Sequence, residues 1–162
     1  MQRAIDRRQF FLRSTALLAG TGMGSAFSPG ARAAGEAGGV PQMRALEAAP
    51  GCWYVQGVSA LGSTENQNFI SNAGFIVTSE SVVVIDALGS PALAERLLAE
   101  IRKVTPKKVS HVVVTHYHAD HIYGLQVFEQ AGARILAHQG GREYLHSDTA
   151  RLRLQASRTE LA

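Results

Sequence analysis

The chain has 162 residues, of which 46% are hydrophobic and 18% are charged, proportions typical of a globular protein and unlike those of a disordered or fibrous one. Its formal net charge of +3 originates in residues 1–33, which contain five arginines and one aspartate. The rest of the chain has 11 basic and 12 acidic residues, a net charge of −1. The charge therefore predicts no nucleic-acid partner. No apolar run is long enough to cross a bilayer, which argues against a permanent membrane anchor.

Residues 1–33 have the features of an export signal. Arg7 and Arg8 are followed by bulky apolar residues and then by a glycine-diluted apolar stretch, and the Ala-Arg-Ala sequence at 31–33 fits a small-x-small cleavage site. The pattern resembles signal peptides of the twin-arginine (Tat) pathway. This resemblance implies the Tat export machinery as a partner and a periplasmic location.

Residues 34–50 are rich in Ala, Gly and Pro and show no periodicity, which predicts a linker or a loosely held mature N-terminus and leaves 51–162 as the folded domain. The single cysteine, Cys52, cannot form a disulfide within the chain. We predict that it packs as a small apolar residue at a strand edge; a metal ligand or a reactive thiol are the alternatives.

The domain alternates short β-type runs with segments of helical periodicity. The run Ser81–Ile85 is continuously apolar, as in a strand buried on both faces, and Ser90-Pro91 is a helix start with a capping hydroxyl followed by Pro at the first helical position. Strands are predicted at 53–58, 68–78, 81–85, 109–114 and 133–137, and helices at 91–105, 123–131 and 141–156.

This order predicts a mixed α/β domain with helices packed on a sheet. A right-handed crossover would place the loops after Ile85 and after Val114 on the same edge of the sheet. Asp86, at the end of one strand, would then face the histidine-rich loop that follows the other.

That loop contains His116, His118, Asp120 and His121, three imidazoles and a carboxylate within six residues. These side chains suit zinc, and also iron or manganese. Residues two apart in an extended loop point the same way, so His116 and His118 can reach one metal, while Asp120 and His121 turn toward a second. Two adjacent metals can hold a hydroxide and polarise a carbonyl or phosphoryl oxygen.

Three further histidines lie outside this motif. His111 starts a strand and His146 lies in a predicted helix, and both are expected at the surface. His138 follows a strand end, from which it could approach the site as a substrate-lining residue.

The sequence from Thr115 to His121 resembles the H-x-H-x-D-H signature of the metallo-β-lactamase superfamily, and the likeness extends over about residues 51–154. It implies a four-layer αβ/βα sandwich, of which this chain would form the N-terminal half, with a mixed sheet and helices on one face. It further implies two zinc ions: His116 and His118 on the first, and Asp120 and His121 on the second. Asp120 is also the predicted catalytic residue, and Asp86 would orient the histidine loop without binding metal.

The resemblance implies a zinc-dependent hydrolase that uses a metal-bound hydroxide on a small-molecule ester, thioester, lactone or amide, including a β-lactam. A persulfide dioxygenase with one iron is an alternative on the same fold. The family pattern also has a further histidine, a bridging aspartate and a last histidine beyond the motif region, and none is recognisable before Ala162. We therefore expect an N-terminal fragment, and a third alternative is an inactive chain with an incomplete metal site and one exposed sheet face.

Overall fold

The computed structural model describes residues 42–160, and the predicted signal peptide at 1–33 lies outside them. The described residues form six strands and five helices. In chain order these are β1 (Leu46–Ala49), β2 (Cys52–Val55), β3 (Ala73–Val77), β4 (Val82–Ile85), α1 (Pro91–Val104), β5 (Val109–Val113), α2 (Ala119–Ile122), α3 (Leu125–Gln130), β6 (Arg134–Leu136), α4 (Gly141–Leu145) and α5 (Asp148–Glu160).

The six strands form one mixed sheet in the order β1-β2-β3-β4-β5-β6. The first four are antiparallel neighbours, whereas β4, β5 and β6 run parallel. Parallel neighbours require a crossover, which α1 provides between β4 and β5, and α2 with α3 between β5 and β6. The predicted mixed α/β architecture is confirmed, and the ends of β4 and β5 meet at one edge of the sheet.

One face of the sheet is covered by helices. Phe75, Val84 and Val112 pair across β3, β4 and β5 and are almost fully buried. Helix α1 buries Leu93, Leu97 and Ile101 in the same core, and α3 contributes a fully buried phenylalanine. Burial of each such side chain contributes about 1.5–3 kcal/mol, which makes this layer the main source of stability.

The opposite face is only partly covered within the described residues. Val83, Ile85 and Val113 are half-buried there, and Ile76 and Leu136 are 41% and 45% exposed. This agrees with the sequence-based expectation of one exposed sheet face.

Helix α1 begins where the sequence predicts. Ser90 is its N-cap, and its hydroxyl accepts a hydrogen bond from the backbone N–H of Leu93 at 3.2 Å. Pro91 follows at the start of the helix, where a missing N–H is harmless. None of the helices described between residues 42 and 160 combines the length and the apolar character that a membrane span requires.

The linker prediction is wrong for residues 46–49, which form edge strand β1. Leu46 and Glu47 pair with Tyr54 and Trp53 of β2, although all four residues of β1 are exposed. Backbone pairing with β2, rather than burial of side chains, holds this edge strand in place. Its sequence therefore shows little hydrophobic alternation. The remainder of the predicted linker before residue 42 lies outside the described residues.

Four predicted elements differ clearly in extent or continuity. The predicted strand 53–58 ends at Val55. The predicted strand 68–78 begins only at Ala73, because Asn68 has a positive φ of 58° and belongs to the preceding turn. The predicted helix 123–131 begins at 125, after a separate turn of helix at 119–122. The predicted helix 141–156 is two helices, since the Ser147 hydroxyl accepts from the N–H of Ala150 and starts α5 anew.

Candidate metal centre

The site is built on a strained turn at the end of β4. Asp86 and Leu88 have positive φ angles of 61° and 66°, a conformation that costs non-glycine residues of the order of 1–3 kcal/mol. The turn is held by the metal-motif segment: the Ala87 N–H donates to the His121 carbonyl at 2.8 Å, and the Gly124 N–H donates to the Leu88 carbonyl at 3.2 Å. The turn and the histidine loop therefore fix each other.

The Asp86 carboxylate is 4% exposed and accepts three hydrogen bonds from the histidine loop. Its Oδ1 accepts from the backbone N–H of Thr115 at 2.8 Å, and its Oδ2 accepts from the Thr115 hydroxyl at 2.6 Å. His121 Nδ1 lies 2.8 Å from the same Oδ2. The predicted juxtaposition of Asp86 and the histidine loop is confirmed.

This network determines which nitrogen of two imidazoles is available. An ionised carboxylate only accepts, so His121 Nδ1 donates its hydrogen to Asp86 and Nε2 is the nitrogen that faces Asp120. The Thr115 hydroxyl gives its single hydrogen to Asp86, so at 2.9 Å it accepts from His116 Nδ1. His116 Nε2 is then also free to bind a metal. Carboxylate and hydroxyl partners of this kind orient metal-binding histidines in proteins.

Several pairs of the four predicted ligands lie close together. The ring centroid of His116 lies 4.6 Å from that of His118 and 4.1 Å from that of His121. His121 Nε2 lies 3.4 Å from Asp120 Oδ2. Two ligand atoms about 2.0–2.1 Å from one tetrahedral zinc are roughly 3.3–3.4 Å apart, so this pair fits a single ion.

A second grouping of donor atoms overlaps with this set. Asp86, His116 and His121 each offer one ligand-type atom, and these atoms lie within 4.8 Å of one another. Both Asp86 oxygens already accept hydrogen bonds from Thr115, and the carboxylate is buried, whereas His116 is exposed. The geometry therefore suits Asp86 to support the ligands, and the assignment of each ligand to a metal remains a prediction.

Two features that hold the motif in place were missed from the sequence. The buried Ser71 donates its hydroxyl hydrogen to the carbonyl of Asp120 at 2.5 Å, although 49 residues separate them. Gly124 packs so closely that a Cβ there would lie 2.1 Å from the Ala87 carbonyl oxygen and 2.6 Å from Ala94 Cβ. A serine before a strand carries no signal of such a role, but the glycine ending the motif could have suggested close packing.

The other histidines and the cysteine are spread over the domain. His138 lines a cavity of about 790 Å³ that also borders His116, so it does approach the site. His111 Nδ1 is 3.0 Å from the Ser110 hydroxyl and half-buried, while His146 is exposed. Cys52 is half-buried in β2, away from any described metal-ligand group.

Similarity to known proteins agrees with the fold and the motif. Residues 67–156, more than half of the chain, match the family model of the metallo-β-lactamase superfamily. The chain belongs to this superfamily. Its fold is similar to the crystal structure of MEM-A1, a subclass B3 metallo-β-lactamase from a soil metagenome library, with a TM-score of 0.50 and 27% identity over 67% of this chain and 37% of that one.

Two curated relatives extend the comparison. The chain is 30% identical over 74 residues to a metallo-β-lactamase type 2 of Bacillus cereus, covering 46% of this chain and 29% of that protein. It is 36% identical over 53 residues to a linear primary-alkylsulfatase of Pseudomonas sp. (strain ATCC 19151), covering 33% of this chain and 10% of that protein. The matched part thus spans less than a third of either relative.

Proposed function

We propose that the protein is a metal-dependent hydrolase that acts on a small-molecule ester, thioester, lactone or amide, with zinc at the candidate metal centre. The observation that supports this proposal is the proximity of the His116 ring to those of His118 and His121, and of His121 Nε2 to Asp120 Oδ2. The activities of two relatives, a β-lactamase and an alkylsulfatase, support hydrolysis as the reaction class.

A bound zinc ion supplies Lewis-acid chemistry, because it lowers the pKa of coordinated water and polarises a substrate carbonyl. The chain's own residues prepare the site for it. Asp86 and Thr115 engage the Nδ1 atoms of His121 and His116, so Nε2 of each ring is the nitrogen that would bind the metal. Ser71 holds the backbone at Asp120 and thereby the start of α2.

The residues fit zinc by donor type and by spacing. Imidazole nitrogen and carboxylate oxygen are ordinary zinc ligands, and the 3.4 Å between His121 Nε2 and Asp120 Oδ2 matches two ligands of one ion. The exposed His116 and His118 leave the centre open to solvent and to a substrate.

Zinc titration of the purified chain tests the proposal. We expect His116→Ala and Asp120→Ala each to weaken zinc binding at least tenfold, because each substitution removes one proposed zinc ligand. His146→Ala is the matched control, since this exposed histidine lies outside the cluster and should leave the affinity unchanged. Metal analysis after expression in mixed-metal medium would show whether iron is bound in place of zinc.

Hydrolysis is assayed separately on a panel of ester, thioester, lactone and β-lactam substrates. Zinc binding that is insensitive to both substitutions would contradict the metal site. Zinc binding without hydrolysis of any panel member would contradict the reaction class for this chain.

Export through the twin-arginine pathway is a second part of the proposal and rests on the sequence of residues 1–33 alone. A double Arg7→Lys, Arg8→Lys variant should remain in the cytoplasm, whereas we expect the wild type in the periplasmic fraction. Equal periplasmic amounts of both would refute it.

A further inference from the structure

A cavity of about 790 Å³ lies beside the candidate metal centre. Its walls come from the histidine loop on one side and from the segment 137–145, which includes α4, on the other. His116 is one of the lining residues, so the cavity borders the proposed metal site.

The cavity has an aromatic wall. The rings of Tyr117 and Tyr144 lie with their centroids 4.5 Å apart and their planes inclined by 41°. Both tyrosines line the cavity, together with apolar side chains such as Ile122 and Leu125. Such a surface favours a flat aromatic or apolar group, because rings stack on rings and apolar area leaves water.

The charged side chain that lines the cavity is positive. No Asp or Glu occurs among its lining residues, whereas Arg142 contributes a permanent positive charge and His138 a nitrogen donor. Within residues 42–160, no carboxylate forms a salt bridge with Arg142. An exposed guanidinium without an ionic partner that lines an apolar cavity is suited to bind an anion through two parallel N–H bonds.

From these observations we infer that the cavity binds ligands that join an aromatic or apolar body to an anionic group. Arg142 binds the anion, and the Tyr117–Tyr144 wall binds the body. The binding site itself stands independently of catalysis. Its use for substrates rests on the proposed function, and it would make the enzyme selective for acidic esters or amides whose reacting carbonyl lies near His116.

The test uses the full chain freed of metal with a chelator, so that no ion can bind the probe. Isothermal titration compares 2-naphthoate with 2-naphthamide, which has the same shape without the charge. We expect naphthoate to bind about tenfold more tightly, which is the size of one charge-assisted hydrogen-bonded contact.

The variant Arg142→Gln should weaken naphthoate binding about tenfold and leave naphthamide binding unchanged. The matched control, Arg153→Gln, removes an exposed arginine of α5 outside the cavity and should change neither. Tyr144→Leu should weaken both ligands to a similar degree. Circular dichroism of each variant checks that the fold is retained.

Equal affinity for naphthoate and naphthamide would overturn the inference, as would an equal loss from Arg142→Gln and Arg153→Gln. These results concern the metal-free chain, so they are distinguishable from failure of the proposed function, which is judged by zinc binding and hydrolysis. If hydrolysis is observed, Arg142→Gln should raise KM for an anionic aryl ester while kcat and the KM for its neutral analogue stay the same.

Discussion

Replacing Asp86 by Asn tests how the buried carboxylate prepares the histidines. The substitution keeps the shape of the side chain and suits the positive φ of 61°, because Asn tolerates the left-handed region well. It changes one of the two carboxylate oxygens into an NH₂ donor. The effect on the network can therefore be followed atom by atom.

We expect the hydrogen bonds to reverse rather than break. An NH₂ group in place of Oδ2 donates to His121 Nδ1 and to the Thr115 hydroxyl, which then turns its hydrogen toward His116 Nδ1. Both imidazoles would then carry their hydrogen on Nε2. That hydrogen occupies the position that a metal needs.

The expected magnitudes differ for stability and for metal affinity. The number of hydrogen bonds is retained and only their charge assistance is lost, so the free energy of unfolding should fall by about 1–3 kcal/mol. Zinc affinity should fall about 10–100-fold, as is usual when a partner of a ligating histidine is changed. Asp86→Ala should cost more stability, about 3–5 kcal/mol, because it removes three hydrogen bonds and suits the backbone poorly.

Three measurements follow these effects. Urea unfolding of the metal-free chain gives the stability, competition with a chromophoric chelator gives the zinc affinity, and long-range ¹⁵N NMR of the imidazoles gives the tautomers. Asp148→Asn is the control, since this carboxylate is exposed and pairs only with Arg151 at the surface. Asp86→Asn with wild-type zinc affinity and unchanged tautomers would refute the reasoning.

Two further predictions concern stability. Gly124→Ala should destabilise the fold by roughly 1–3 kcal/mol, because its Cβ would overlap the Ala87 carbonyl oxygen. Gly141→Ala is the control and should be nearly neutral, since no atom lies within 4 Å of the added Cβ. Urea unfolding of both variants measures the difference, and equal effects would contradict the prediction. For Glu100, burial raises the pKa, but hydrogen bonds from Lys103 and the Ala45 N–H, together with nearby positive charges, lower it below the ordinary 4.5. The folded state thus favours the carboxylate: Glu100→Gln should reduce stability fully above pH 4.5 and progressively less as the pH falls through the lower folded pKa. A difference that grows on acidification would show that the sign is wrong.

The sequence was most informative where local chemistry and burial coincide. The strand ending at Ile85 and the helix beginning at Pro91 follow from an apolar run and a capping motif, and both are present. The approach of Asp86 to the histidine loop follows from topology, because parallel neighbours with a helical crossover must end at the same edge.

The sequence was least informative where backbone contacts or distant partners decide the structure. Strand β1 has four exposed residues, so no hydrophobic alternation marks it. The hydrogen bond from Ser71 to Asp120 joins residues far apart in sequence, and a serine forms such bonds in too many settings to signal this one. The roles of Tyr144 and Arg142 depend on how α4 is placed, which no local pattern specifies.

The order of the elements also explains why the motif can be prepared before any metal arrives. Asp86 lies in the turn that α1 follows, and the histidine loop lies between β5 and α2, so a single crossover unit contains both sides of the network. Within this unit the buried carboxylate lies against Thr115 and His121. These hydrogen bonds and the core beneath α1 offset the cost of the strained backbone at Asp86. Metal binding would then require little rearrangement at His116 and His121, and the selectivity of the site would depend mainly on the cavity beside them.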